Sequence, residues 1–199
     1  MYRLFETIRI ENGLPRNLYY HQRRMTDAGK ALFGGVVYPD LQEIIRVPEE
    51  AASGLFKCRI FYSDQIGEIT YEKYHRKFIG SLKLVNGDGT DYPHKYTDRS
   101  AIKFLFNLRE MCDDILIVKN GLITDSSFAN VVFESGENLL TPEKPLLAGT
   151  MRQKLINEKV IQPAEIRMAD VYKFDRVFLI NAMNSLTDGL TVPTDRIIG

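Results

Sequence analysis

Four apolar residues, Ile115-Leu116-Ile117-Val118, then Lys119-Asn120-Gly121 and a second apolar pair, Leu122-Ile123, constrain this chain more than any other stretch. The run is too short to be a helix and reads as a buried strand. Asn-Gly between apolar runs signals a tight hairpin, because such turns need positive φ at both central residues. A second Asn-Gly, within Glu11-Asn12-Gly13, follows Leu4 to Ile10, where Phe5, Ile8 and Ile10 with β-branched Thr7 predict a strand. Leu14 to Tyr19 reads as its return strand or an extended connector.

Helical spacing begins at Tyr20 to Phe33, with Met25, Ala28, Leu32 and Phe33 on one face, His21 and Arg24 on a neighbouring one, and Gly34-Gly35 closing it. Tyr38 to Ala51 reads as a shorter helix ending near Pro48. Leu55 to Ser63 is a strand with Phe56, Cys58, Ile60 and Tyr62 on one side and Arg59 on the other, and Ile66 to Leu84 holds two more. Asn86-Gly87-Asp88-Gly89 reads as the most flexible stretch. The division falls there, between a small N-terminal lobe (1–88) and a larger C-terminal lobe (89–199).

In the second lobe Lys95 follows Tyr92-Pro93-His94, so it sits where an extended segment gives way to something else. Asp98 and Ser100 are candidate caps for a helix carrying Ile102, Phe104, Leu105, Leu108 and Met111, which Cys112-Asp113-Asp114 interrupts. After the hairpin, Thr124-Asp125-Ser126-Ser127 breaks the apolar run before Phe128 and Val131-Val132-Phe133, placing a carboxylate and two hydroxyls beside a sheet edge. Glu134 to Asn138 is a turn and Leu139 to Pro142 a short strand, and Gly149-Thr150 opens a helix over Met151 to Val160 with Leu155, Ile156 and Val160 inward. Arg176 to Ile180 is a buried strand leading to the polar exit Asn181-Ala182-Met183-Asn184-Ser185. The whole predicts an α/β (α+β) chain with mixed, largely antiparallel sheets.

Charge balances at 26 basic against 26 acidic residues with no basic stripe, which gives no support for a nucleic-acid or membrane surface. Two distant cysteines make no disulfide framework, no apolar run is long enough to span a bilayer, and nothing at the N-terminus reads as a signal peptide. A cytoplasmic protein without a metal is expected.

Alone, Lys95 is one cation among 26, Arg24 is a helix charge and Arg59 belongs to an exposed sheet face. Their neighbours change that. Lys95-Tyr96-Thr97-Asp98-Arg99 resembles the Lys-x-x-Asn-Arg run that carries the Schiff-base lysine of 4-amino-4-deoxychorismate lyases, and Thr124 to Asn130 resembles the Thr-Glu-x-x-x-x-Asn run that follows it. The likeness continues through Leu4 to Arg9, His21-x-x-Arg24-Met25, Thr141-Pro142, Leu147 to Arg152 and Phe178 to Ala182. The chain thus resembles the class IV pyridoxal-phosphate (PLP) enzymes: branched-chain and D-amino-acid aminotransferases and, more closely, the lyases.

The resemblance implies the two-lobed fold of the D-amino-acid aminotransferase type, shortened at its N-terminus and between Phe61 and Lys95, with the site in the cleft between lobes and a homodimer around it. It implies PLP as cofactor. Lys95 would carry it, an amine that needs desolvation or a cationic neighbour such as Arg99 to be reactive. Asp125, where the family usually has Glu, would keep the pyridine nitrogen protonated. Arg24, Thr150, the Met151 backbone and the Asn181-Ala182 turn would hold the phosphate, for which a guanidinium fork and a helix N-terminus are both suited. Arg59 and Arg99 are candidates for the substrate carboxylate. The implied reaction on this small-molecule substrate is elimination of pyruvate from 4-amino-4-deoxychorismate to give 4-aminobenzoate, a folate precursor. A class IV transaminase of branched-chain or D-amino acids is the alternative. Asp125 and the missing N-terminal strands motivate a third reading, a cofactor-free binding protein on the same fold.

Overall fold

A computed structural model describes residues 3–199 and divides into two compact units: the chain up to Arg76 together with His94–Asp98, and Lys77–Pro93 together with Arg99–Gly199.

The first unit is a four-stranded antiparallel sheet in the order β2-β1-β3-β4, from β1 (Leu4–Glu11), β2 (Leu14–Pro15), β3 (Leu55–Tyr62) and β4 (Ile66–Lys73). The expected hairpin is there, with Asn12 at φ 50° and Gly13 at φ 78°. Leu4, Ile8 and Ile10 of β1 and Phe56, Cys58, Ile60 and Tyr62 of β3 share one buried face, against which α1 (Leu18–Leu32) packs Met25 and Ala28. The second helix expected in this unit shrinks to α2 (Leu41–Ile44). Ile45 is already extended, since β-branched residues ahead of Pro48 favour that conformation. His94–Asp98 lies along the edge of β1 that β3 leaves open: Phe5 N–H donates to the Lys95 carbonyl at 3.1 Å, Thr97 N–H donates to that of Arg3 at 2.9 Å, and Leu4 bridges Tyr96.

The second unit is a nine-stranded mixed sheet. Its strands are β5 (Leu82–Asn86), β6 (Asp114–Lys119), β7 (Leu122–Ser126), β8 (Asn130–Ser135), β9 (Asn138–Pro142), β10 (Gln162–Ala164), β11 (Arg176–Ile180), β12 (Thr191–Pro193) and β13 (Ile197–Ile198). They run β10-β9-β8-β7-β6-β5-β13, with β11 beside β8 and β12 beside β11. Two parallel crossovers contain helices: α3 (Ser100–Asn107) joins β5 to β6, and α4 (Thr150–Asn157) joins β9 to β10. The β6–β7 turn is the one expected, with Asn120 at φ 52° and Gly121 at φ 76°. The core gathers Leu82, Leu116, Ile123, Val131, Phe133, Val177, Leu179 and Val192.

Three local expectations are corrected. Arg99, not Asp98 or Ser100, occupies the cap position of α3; within the helix Phe104 is exposed while Ile102 and Leu105 are buried, and the helix stops at Asn107, leaving Met111 exposed beyond it. Asn86 to Gly89 is not a slack tether: Gly87 N–H donates to the Val118 carbonyl at 2.8 Å, and the Asp88 carboxylate accepts from Asn120 N–H at 2.6 Å. Finally, α4 ends at Asn157, where Lys159 turns with φ 58° and Ile161 replaces Val160 in the core. Among the described residues no helix is long and apolar enough to cross a membrane.

Candidate active site

In the first unit, alternation along β1 turns Glu6 inward with Leu4 and Ile8, leaving a carboxylate with no exposed surface. Such a group must be paired. Arg24 Nε donates to Glu6 Oε1 at 3.0 Å, its Nη2 donates to Oε2, and His21 Nδ1 lies 2.6 Å from Oε2. The carboxylate can only accept, so His21 holds its proton on Nδ1. Burial lowers the His21 pKa against the pull of Glu6 and keeps the ring neutral. Burial would raise Glu6, but Arg24 and His21 together outweigh it and hold the carboxyl at about 2. The helical spacing of His21 and Arg24 puts both on this one anion.

Lys95 is half-buried on the edge of β1, its Nζ 4.7 Å from the centre of the Phe5 ring, and its charge is among those that lower the His21 pKa. Arg59 projects from the opposite face of β3 from Cys58 and Ile60, and its Nε is buried without a hydrogen-bond partner among the described residues. An orphaned guanidinium nitrogen is a ready contact for an anion.

In the second unit, β7 continues through the polar residues expected to interrupt it. Thr124 is satisfied by the Ile117 carbonyl at 3.2 Å, and Ser126 Oγ accepts from Ala129 N–H at 3.1 Å. Asp125 between them is 5% exposed. Its Oδ1 accepts from Asn130 Nδ2 at 2.6 Å and its Oδ2 from Leu147 N–H at 3.0 Å. Burial raises its pKa to about 6, against the lowering effect of Asn130, the Leu147 and Leu146 amides and Arg152. Arg152, buried in α4, donates to the Thr141 hydroxyl at 3.3 Å and the Pro142 carbonyl at 2.7 Å.

Thr150 and Met151 are the first two residues of α4 and both are buried, with Gly149 at the cap and no side chain capping the end. A first turn of this kind presents backbone N–H groups and the positive end of the helix dipole. The Asn181 side chain is committed to its own turn, accepting from Met183 N–H at 2.8 Å and Asn184 N–H at 3.1 Å, so an anion contact there would fall to the Ala182 amide. Arg99 donates through Nη2 to the Ser127 carbonyl.

Sequence reasoning gave roles to Arg24 and Asp125; Glu6, His21, Asn130 and Arg152 stood within the quoted motifs, but nothing in the sequence paired them with Arg24 or Asp125. Besides those motifs, a polar residue set in an otherwise apolar alternation was a signal, at Glu6 between Phe5 and Thr7 and at Asn130 before Val131-Val132-Phe133.

The α+β architecture is a fold of PLP-dependent enzymes. Residues 3–189 match the model of the amino-transferase class IV family, and the chain belongs to that family. A protein of uncharacterised function from Haemophilus influenzae is 41% identical over 188 residues, covering 94% of this chain and all of that one. The crystal structure of a provisionally named 4-amino-4-deoxychorismate lyase from Haemophilus somnus superposes with a TM-score of 0.87 at 35% identity, over 93% of this chain and 98% of the other. A provisionally named branched-chain amino acid aminotransferase from Thermotoga maritima has the same fold, with a TM-score of 0.75 at 17% identity over 98% of this chain and 77% of its own.

Proposed function

We propose that this chain is a PLP-dependent 4-amino-4-deoxychorismate lyase, releasing pyruvate and leaving 4-aminobenzoate. The observation that carries the reading is the 35% identity, across nearly the whole of both chains, to the Haemophilus somnus protein that bears the lyase name. The Lys95-x-x-Asp98-Arg99 run, nearer to the lyases than to the transaminases, supports it. The same reading makes the enzyme a cytoplasmic homodimer of folate synthesis, resting on the likeness of its motifs to that family.

The residues present fit the cofactor. A buried carboxylate with donors on both oxygens suits a protonated ring nitrogen, and the uncapped first turn of α4 suits a phosphate. The bound cofactor supplies an electron sink for the substrate's carbon framework. Lys95 Nζ would carry it covalently and hold or move the proton that elimination displaces. Asp125 would keep the ring nitrogen charged. Arg24 donates to Glu6 through Nε and Nη2, so the angle at which its guanidinium would meet the phosphate is the one Glu6 sets. Thr150, the Met151 N–H and the Ala182 N–H would complete the phosphate contacts, and Arg59 and Arg99 would orient substrate carboxylates.

The test is in two parts. Purified protein incubated with PLP is expected to show a visible absorption band that borohydride abolishes, with the pyridoxyl label mapping to Lys95. Supplied with 4-amino-4-deoxychorismate and no amino acceptor, it is expected to release pyruvate. A product that forms only when a 2-oxo acid is added would replace the lyase with a transaminase, and absence of the band would remove both.

A further inference from the structure

Asp125 and Asn130 face each other across the start of the β7–β8 pair, in register, so the hairpin itself sets the amide beside the carboxylate. Asn130 Nδ2 donates both to Asp125 Oδ1 at 2.6 Å and to the Leu147 carbonyl at 2.9 Å, while Leu147 N–H returns to Asp125 Oδ2 at 3.0 Å. Carboxylate, amide and the backbone of Leu147 therefore form a closed ring of three hydrogen bonds. The amide orientation follows from chemistry, because the flipped form would turn an oxygen onto two acceptors.

The other end of the same side chain fixes α4. A Cβ built on Gly149 would lie 1.8 Å from Asn130 Oδ1 and 3.0 Å from its Cγ, and the three atoms nearest to that Cβ all belong to Asn130. The amide thus fills the space that a side chain at the cap of α4 would take. We propose that Asn130 is a positioning residue that locks the Asp125 carboxylate to the segment opening α4, so that the acid for a cofactor's ring nitrogen and the phosphate-facing helix end are held as one piece. The inference rests on the reading of this chain as a PLP enzyme.

A buried carboxylate keeps its charge only if its lone pairs are satisfied. Three elements bear on Asp125: Asn130 from β8, the Leu146 and Leu147 amides from the loop, and Arg152 from α4. Of their lowering effects that of the Asn130 hydrogen bond is the largest. Without Asn130 the carboxyl would stay protonated to higher pH, and a neutral acid does not hold a ring nitrogen in its cationic form.

The experiment is an absorbance titration of cofactor-free protein with PLP at a series of pH values, using wild type, Asn130→Ala, Gly149→Ala and the double variant. Thermal denaturation without cofactor reports whether each is folded. Asn130→Ala is expected to weaken PLP binding by about 10–100-fold, the usual range for loss of a group that orients a ligating one. It is also expected to move the pH midpoint of binding upward, which a purely structural loss would not do. Gly149→Ala should weaken binding as well, and the double variant should be no weaker than Asn130→Ala alone, because the colliding amide is gone. Should Asn130→Ala not fold, Gly149→Ala carries the test, since its Cβ would push the amide off Asp125. Unchanged affinity and pH midpoint in whichever single variant folds, or losses that multiply in the double, overturn the proposal alone. Wild type that takes up no PLP overturns the cofactor reading and this proposal with it.

Discussion

Glu6 and Asp125 are both buried carboxyls, and burial acts on both in the same direction; their partners separate them. Glu6 has a guanidinium fork and sits at about 2, below its ordinary 4.5, whereas Asp125 has mostly neutral donors and sits at about 6, above its ordinary 3.8. The folded state therefore holds a proton at Glu6 more weakly than the unfolded chain does. Its stabilisation is complete above pH 4.5 and is lost as pH falls toward 2, by about 3 kcal/mol. Asp125 has the opposite sign: folding raises its pKa, so stability falls as pH rises from about 4 to 6, again by about 3 kcal/mol. Urea denaturation of cofactor-free protein should show Glu6→Gln losing the acid slope and Asp125→Asn losing the slope between pH 4 and 6. His21, held neutral, destabilises the fold in acid, so the Asp125 slope is read as the difference between variant and wild type. At neutral pH Glu6→Gln should itself cost about 3–5 kcal/mol, because it leaves Arg24 without its counter-charge. Sequence exposes such residues only as polar interruptions. Arg24 and its carboxylate lie 18 positions apart, and alternation along β1 brings Glu6 to the helix, a pairing that neither of the two motifs states by itself.

Local chemistry made the hairpins legible, because the need for positive φ at Asn12-Gly13 and Asn120-Gly121 is written into those residue types. The stretch from Asn86 to Gly89 has equally turn-like composition, yet its conformation is set by a strand pair some thirty residues away, with Asp88 bonded to Asn120. Periodicity could not locate the end of α3 either, since Leu108 and Met111 keep the helical spacing although the helix ends at Asn107 and Glu110 turns with φ 54°. The two glycines of the 86–89 turn should now behave differently. A Cβ on Gly87 would lie 2.6 Å from Ile117 Cγ2 and 3.2 Å from Leu105 Cδ1, while nothing lies within 4 Å of one on Gly89. Gly87→Ala is expected to lower stability by about 1–3 kcal/mol through overpacking of the contact with β6 and α3. Gly89→Ala should stay within about 0.5 kcal/mol of wild type, as surface changes away from special features do. Urea midpoints of the two variants check both values.

The chain leaves its first unit after Arg76, builds a strand of the second, and returns at His94–Asp98 to bond along β1 before joining the second unit for good. Nothing local encodes that return, because Lys95 is fixed by the backbone of Phe5, some ninety residues earlier. One consequence reaches every cofactor contact assigned above. Under the proposed reading, PLP is expected to slow amide exchange in the peptides that carry Arg24 and Lys95 and in those that carry Asp125, Thr150 and Met151. A ligand that binds only the folded state stabilises it by about 2.7 kcal/mol at one hundred times its dissociation constant. In a chain of this size that corresponds to a rise in Tm of about 5–10 °C. Lys95→Ala should keep part of the rise, because the phosphate and ring contacts survive loss of the covalent link, and Asp125→Asn should keep less protection around Leu147 than around Phe5. Exchange measured by mass spectrometry with and without PLP decides: any of these peptides left unprotected would strike the contact proposed for it, and protection in none would remove the proposed cofactor.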